Sequence, residues 1–321
     1  MRRLWIVSVL LVAVLLSACS GGTPAPAEQP TAGADEPAGL SGQLSLAGST
    51  SVQPLAQELA DAFMEQYPDV VIDVQGGGSS VGVTSAGEGT VDIGNASRAV
   101  KSSELEQFPD LQIFTIAYDG IAIVVHPDVA LANLTIEQVA AIFAGEITNF
   151  SQVGGPNAEI VVVSREEGSG TRGAFEELVM EAGDEEKIIT ASAILQNSNG
   201  AVRTTVAETP NSIAYLSFGF LDESVKPVNI AGVEPTVGNV LAGSYPIFRP
   251  FNMLTNGAPG ELAQAFLDFV LSPAGQEIVA GDYIPVVGGE PQATRALSGQ
   301  LSLAGSTSVQ PLAQELADAF M

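Results

Sequence analysis

The stretch Gln43-Leu44-Ser45-Leu46-Ala47-Gly48-Ser49-Thr50-Ser51-Val52-Gln53-Pro54-Leu55 decides the class of fold. Its first part is short and apolar, ends at a glycine, and reads as a strand over 43–46. Its second part opens a helix: Val52, Leu55, Leu59 and Phe63 fall at i, i+3, i+7 and i+11 and make one apolar stripe for a sheet to receive. Pro54 suits that helix only in the first turn, where a missing N–H removes no hydrogen bond. The polar run Gly48-Ser49-Thr50-Ser51 therefore sits where a strand becomes a helix.

The same alternation recurs outward from this point. Val- and Ile-rich runs predict strands at 70–74, 91–93, 112–117, 120–125, 160–163 and 212–215, and helical periodicity starts near Ser102, Thr135, Arg172, Gly200 and Gly260. Strands interleaved with helices in this way predict an α/β fold, a mixed or parallel sheet covered by helices.

The N-terminus has a different character. Arg2 and Arg3 precede an apolar run over 4–16 and then Leu16-Ser17-Ala18-Cys19, the layout of a signal peptide. The run is shorter than the ~20 residues a spanning helix needs. Cys19 is the only cysteine, so it has no intramolecular disulfide partner. Leu-Ser-Ala-Cys resembles a bacterial lipobox, which makes Cys19 the expected lipidation site at the end of a 1–19 signal peptide. Residues 20–40 are rich in Gly, Pro, Ala and Thr, with almost no large apolar side chain to bury, and are expected to form a flexible tether. At the other end, residues 40–64 reappear letter for letter as residues 297–321, a copy that stops inside its own first helix. That duplicate repeats Thr50 and Ser51 as Thr307 and Ser308. It lacks the strands that follow and is expected to be inactive.

A formal net charge of −26 argues against nucleic acid or an anionic membrane surface as a partner. It does not argue against a small anion, because surface carboxylates beyond a Debye length of about 8 Å are largely screened from a buried site. Four junctions have the composition of such a site: Gly48-Ser49-Thr50-Ser51, the run over 76–80 with Ser79, Gly94-Asn95-Ala96-Ser97-Arg98, and the run over 165–172 that holds Arg165, Glu167, Ser169, Gly170, Thr171 and Arg172. Helix N-termini present unpaired N–H groups and a partial positive charge, glycines admit an oxyanion to the backbone, and arginines add charge-assisted hydrogen bonds. Ser and Thr also cap helices for structural reasons alone. Glu167 has two readings: an acceptor for a proton carried by the ligand, which would favour hydrogen phosphate over sulfate, or a carboxylate that holds Arg165.

These stretches, with 134–150 and 268–286, resemble in order and in joint occurrence the phosphate-binding components of bacterial phosphate ABC importers, over nearly everything from Leu44 to Val287. The resemblance implies a type-II periplasmic binding protein fold with a ligand cleft between two lobes, 41–117 plus 246–290 and 118–245, closing about a hinge on phosphate. It implies phosphate contacts from Thr50 and Ser51, with Ser49 adjacent, from Ser79, Ser97 and Arg98, and from Arg165, Glu167, Ser169, Gly170 and Thr171. It also implies a membrane permease as partner and a monomeric, extracytoplasmic, lipid-anchored protein. Some members of that family carry Asp where this chain has Glu167 and Arg98, which leaves selection against sulfate open.

Two other classes stand beside this reading. An enzyme would need a nucleophile, a metal cluster or a phosphate loop; His126 is the only histidine, and no Cys/His metal spacing is present. No catalytic residue, metal or cofactor is expected. A binding protein for molybdate, tungstate or sulfate, or a surface sensor that feeds no importer, would use the same hydroxyls and helix ends.

Overall fold

A computed structural model describes residues 39–183 and 186–286. The signal peptide with Cys19, almost all of the tether and the 297–321 duplicate lie outside the described residues. The chain begins with β1 (Gly42–Gly48) and α1 (Gln53–Gln66), the pair that the opening stretch predicts, and α1 buries Leu55, Leu59 and Phe63. Next come β2 (Val70–Gly76), α2 (Ser79–Gly87), β3 (Ile93–Ala96), α3 (Ser102–Gln107) and β4 (Leu111–Val125). β1 lies between β2 and β3 and is parallel to both, with Gly48 opposite Gly76 on one side and Asn95 on the other. The first three junctions are thereby brought to one end of one sheet.

Beyond β4 follow β5 (Asn133–Leu134), α4 (Ile136–Phe143), β6 (Val161–Arg165), α5 (Gly170–Phe175), β7 (Ile194–Gln196), α6 (Asn199–Glu208), β8 (Ser212–Ser217), β9 (Lys226–Ile230) and α7 (Val237–Leu241). The chain then returns through β10 (Phe248–Asn256), α8 (Glu261–Leu271), α9 (Pro273–Val279) and β11 (Ile284–Pro285). The strands join in the order β2-β1-β3-β10-β4-β8-β6-β7, and β10 runs antiparallel to both of its neighbours. The fold is mixed α/β, as expected.

The apolar core divides along the same path. One cluster joins Leu46, Leu59, Phe63 and Ile93 to Ile116, Phe251 and Phe266, all of which come from the first part of the chain or its return. A second joins Ile121, Ile123, Phe143, Phe175, Ile213 and Tyr215, and it also takes in Tyr245, Ile247 and Ile284. β4 and β10 run through both, so they connect the two halves.

The runs 112–117 and 120–125, expected as separate strands, are one strand. Tyr118 and Asp119 interrupt the apolar pattern, but both stay paired across to β10, at Pro250 and Arg249. β3 starts at Ile93 and continues through Ala96, later than the expected 91–93. Gly94 permits this: a Cβ there would lie 2.1 Å from the Gly82 carbonyl oxygen of α2. β10 has no counterpart among the expected strands, because Arg249, Pro250 and Asn252 break the alternation of its apolar residues. Its partners on both sides supply the hydrogen bonds that its own pattern does not advertise.

Candidate oxyanion-binding site

Four helices start around one buried cluster. Ser51 and Val52 lead into α1, Ser79 opens α2, Gly170 and Thr171 open α5, and Asn199 opens α6. Ser51, Ser79, Ser97, Arg165, Thr171, Asn199 and Arg249 are each no more than 2 % exposed. Such convergence of helix N-termini favours negative charge at the centre.

The hydrogen bonds fix the polarity of the cluster. Ser51 Oγ accepts from Arg249 Nη2 at 3.1 Å and from Asn199 Nδ2 at 2.7 Å. A hydroxyl has two acceptor positions, so in its 2.9 Å contact with Thr171 Oγ1 it is Ser51 that donates. Thr171 Oγ1 also accepts from Arg165 Nη1 at 3.4 Å, so its own proton is left for another acceptor. The second branch behaves alike. Ser97 Oγ accepts from Ser49 Oγ at 2.8 Å and Arg249 Nη1 at 3.1 Å, and therefore donates toward Ser79 Oγ at 3.4 Å. Ser79 Oγ already takes the backbone N–H of Ser97, so its hydroxyl proton is free as well. Thr50 Oγ1 accepts from Arg165 Nη2 at 3.2 Å. The result is a set of donors, which suits a fully ionised oxyanion.

Arg165 is placed by its neighbours. Its Nε and Nη2 bind the two oxygens of Glu166 at 2.9 Å each, and Nε also reaches the carbonyl of Gln196 at 3.2 Å. Its backbone N–H donates to Tyr215 Oη at 3.2 Å. Burial pushes the Tyr215 hydroxyl up to about 12, so it stays a protonated partner for Ser164 at 2.8 Å. Arg249 is paired as tightly: its Nε and Nη2 lie 3.0 and 2.9 Å from Asp119 Oδ2. The other oxygen of Asp119 accepts from Ser217 Oγ at 2.9 Å and the N–H of Phe218 at 3.2 Å. Burial pushes the Asp119 carboxyl up and the Arg249 guanidinium down, and each charge pulls the other back toward ionisation.

The structure separates the expected residues into groups. Thr50, Ser51, Ser79, Ser97, Arg165 and Thr171 come together. Gly170 lies against them, since a Cβ there would be 2.0 Å from Ser79 Oγ and 2.4 Å from Ser97 Oγ. Ser49 is joined to them through Ser97 Oγ and also accepts the N–H groups of Ser51 and Val52, while Ser169 caps α5 by accepting the N–H of Arg172.

Arg98 and Glu167 do not join the cluster. Arg98 forks onto Glu104 at 2.8 and 2.7 Å and touches Ser80, while Glu167 is exposed. Both line a cavity of about 320 Å³ beside the cluster, together with Arg172 and Glu176. The reading of Glu167 as the carboxylate that holds Arg165 is corrected, because the adjacent Glu166 does so. Arg172 is tied to Glu176 at 2.7 Å and to the Arg165 carbonyl at 3.2 Å. A second cavity of about 400 Å³, near Leu44, Asp92 and Pro259, is lined by no arginine or lysine.

Three participants escape the sequence reading: Asn199, Asp119 and Arg249. Asn197-Ser198-Asn199-Gly200 has the same polar junction before a helix as the other sites. Asp119 and Arg249 are lone opposite charges inside apolar strands, a placement that calls for a buried partner.

Residues 28–274 match the PBP superfamily domain. The phosphate-binding protein PstS of Bacillus subtilis is 33% identical over 309 residues, covering 94% of this chain and 100% of that protein. Among solved structures, a Clostridium perfringens substrate-binding protein assigned to phosphate ABC transport, with bound phosphate, is 42% identical at a TM-score of 0.72 and covers 76% of this chain and 100% of that one. An ABC-type phosphate transport receptor from Vibrio cholerae is 34% identical at a TM-score of 0.64, over 75% of this chain and 99% of that one. The chain belongs to the PBP superfamily and, within it, to the family of PstS phosphate-binding proteins.

Proposed function

We propose that this chain is the extracytoplasmic substrate-binding component of a phosphate ABC importer, taking inorganic phosphate between its two halves and presenting the closed form to a membrane permease. The observation that carries the reading is the contact across the halves: Ser51 and Thr50 of the first meet Thr171 and Arg165 of the second. An anion bound there would bridge both and favour closure about β4 and β10. Lobes of 41–117 plus 246–290 and of 118–245 are supported by the change of apolar cluster along β4, from Ile116 and Ala117 in one to Ile121 and Ile123 in the other, while Ile247 and Ile284 of the returning chain pack with the second. A lipid anchor at Cys19 would hold a monomer at the membrane.

One observation favours a second oxyanion. The cluster offers donors, both oxygens of Glu166 and of Asp119 are occupied, and Glu167 is exposed. Sulfate, which carries no proton at neutral pH, meets no mismatched acceptor in such a site. Calorimetric titration of the chain from Leu40 onward, stripped of ligand, with phosphate, sulfate and molybdate decides between them. Tight phosphate binding that Arg165→Ala weakens by at least about 100-fold is expected, since two charge-assisted contacts are lost. Preference for sulfate or molybdate would change the ligand, and binding of no oxyanion would end the transport reading.

A further inference from the structure

We propose that Arg249, delivered from the connection between the halves and held by Asp119, is a positioning residue of the phosphate site that acts through the Ser51 and Ser97 hydroxyls. The proposal rests on the phosphate reading and adds to it a residue that no junction motif contains.

The placement argues for it. Arg249 and Asp119 are direct cross-strand partners on β10 and β4, the two strands that run through both apolar clusters. Arg249 is 2 % exposed, yet only part of its fork is spent on Asp119. Nη1 goes to Ser97 Oγ and to the Ser97 carbonyl at 3.0 Å, and Nη2 also reaches Ser51 Oγ. Both hydroxyls belong to the cluster, so a continuous path runs Arg249, Ser51, Thr171, Arg165, with a guanidinium at each end. The planar fork is what permits this: Arg presents five donors in fixed directions, enough to bind a carboxylate on one edge and hydroxyls on the other.

A structural ion pair alone is a weak explanation. Burying two full charges is costly, and apolar pairs often serve stability as well or better. Here the pair also spans the halves: Asp119 Oδ1 accepts from Ser217 and Phe218 at the end of β8, while Arg249 donates to Ser51 and Ser97 beyond β1 and β3. Asp119 acts through Arg249 as a positioning residue.

The deciding variant is D119N/R249Q. The carboxamide at 119 still accepts from Ser217 and Phe218 and can donate to the one at 249, so no charge is left unpaired. Melting temperature without ligand, the rise in melting temperature at saturating phosphate, and the calorimetric Kd are read together. The expected result is a ligand-free melting temperature within a few degrees of wild type, a Kd weaker by about 100-fold and a much reduced phosphate-induced rise. A Kd within about threefold of wild type overturns the proposal. If the double variant does not fold, Arg249→Lys decides: it keeps the charge but not the fork, and at least tenfold weaker binding is expected, whereas wild-type affinity overturns the proposal. A wild-type protein that binds no phosphate would instead defeat the site reading itself.

Discussion

Glu166 and Glu167 are adjacent and chemically alike, yet only one touches the cluster. Glu166 clamps Arg165 through both oxygens, and Glu167 faces solvent at the rim of the neighbouring cavity. Glu166→Gln is expected to weaken phosphate binding by about tenfold, because it removes one charged arm of the clamp. Glu167→Gln should leave affinity within about twofold. Titration calorimetry on the two variants checks this, and the reverse ranking would return Glu167 to the site. At this scale the sequence identifies Thr50, Ser51, Ser79, Ser97, Arg165 and Thr171, because polar residues at helix starts carry a local signal. It offers no means of choosing between neighbouring acids, since one peptide step decides which way a side chain points at the end of a strand. Asn199 and Arg249 require knowledge of which chain segments meet.

At the level of elements, two glycines that look alike in sequence do different work. Gly48 ends β1 at φ 138, and a Cβ there would lie 2.2 Å from the Asn95 carbonyl and 2.7 Å from the Gly82 Cα. Those neighbours are backbone of its own half and cannot move away. Gly48→Ala is expected to destabilise the fold by roughly 3–5 kcal/mol, through overpacking added to backbone strain, seen as a large drop in melting temperature. Gly170 instead abuts Ser79 and Ser97 of the other half, so a methyl group there would collide with both hydroxyls. In the proposed hinge motion these halves would part. Gly170→Ala should leave the ligand-free melting temperature nearly unchanged and weaken phosphate binding at least tenfold, and unchanged affinity would show that closure does not need this contact. Helix α4 illustrates what local sequence does achieve: Thr135 accepts the N–H of Gln138 and Gln138 returns the bond, and the helix starts at the expected place. β10 illustrates the opposite, since its register is written in β3 and β4 rather than in itself.

For the whole molecule, the buried tyrosines set an alkaline limit. Burial raises Tyr215 to about 12 and pushes Tyr245 and Tyr283 upward as well. A raised folded-state pKa stabilises below the unfolded value, about 10 for tyrosine, and that contribution is lost as pH climbs toward the folded value. The melting temperature should therefore hold from pH 8 to about 10 and fall progressively above it, and scanning calorimetry across that window would refute the assignment if the curve were flat. The terminal duplicate makes a second prediction at this scale. The first copy already supplies Thr50 and Ser51 to the cluster, so deleting residues 297–321 is expected to leave phosphate affinity unchanged. Loss of binding on that deletion would assign the duplicate a part in the site.

By itself the sequence determined the α/β class, the strand-to-helix junctions, and most of the hydroxyls and the arginine that make the proposed site. These are local matters of periodicity, capping and composition, and residues close in the chain decide them. Only the tertiary structure decided that the halves are joined through one unbroken β4 and an unadvertised β10, that Asp119 and Arg249 meet there, and that the hydroxyls are ordered into a set of donors. The physical reason is that strand pairing and hydrogen-bond direction depend on partners far away in sequence. Arg249 accordingly finds its carboxylate on β4 and its hydroxyls beyond β1 and β3.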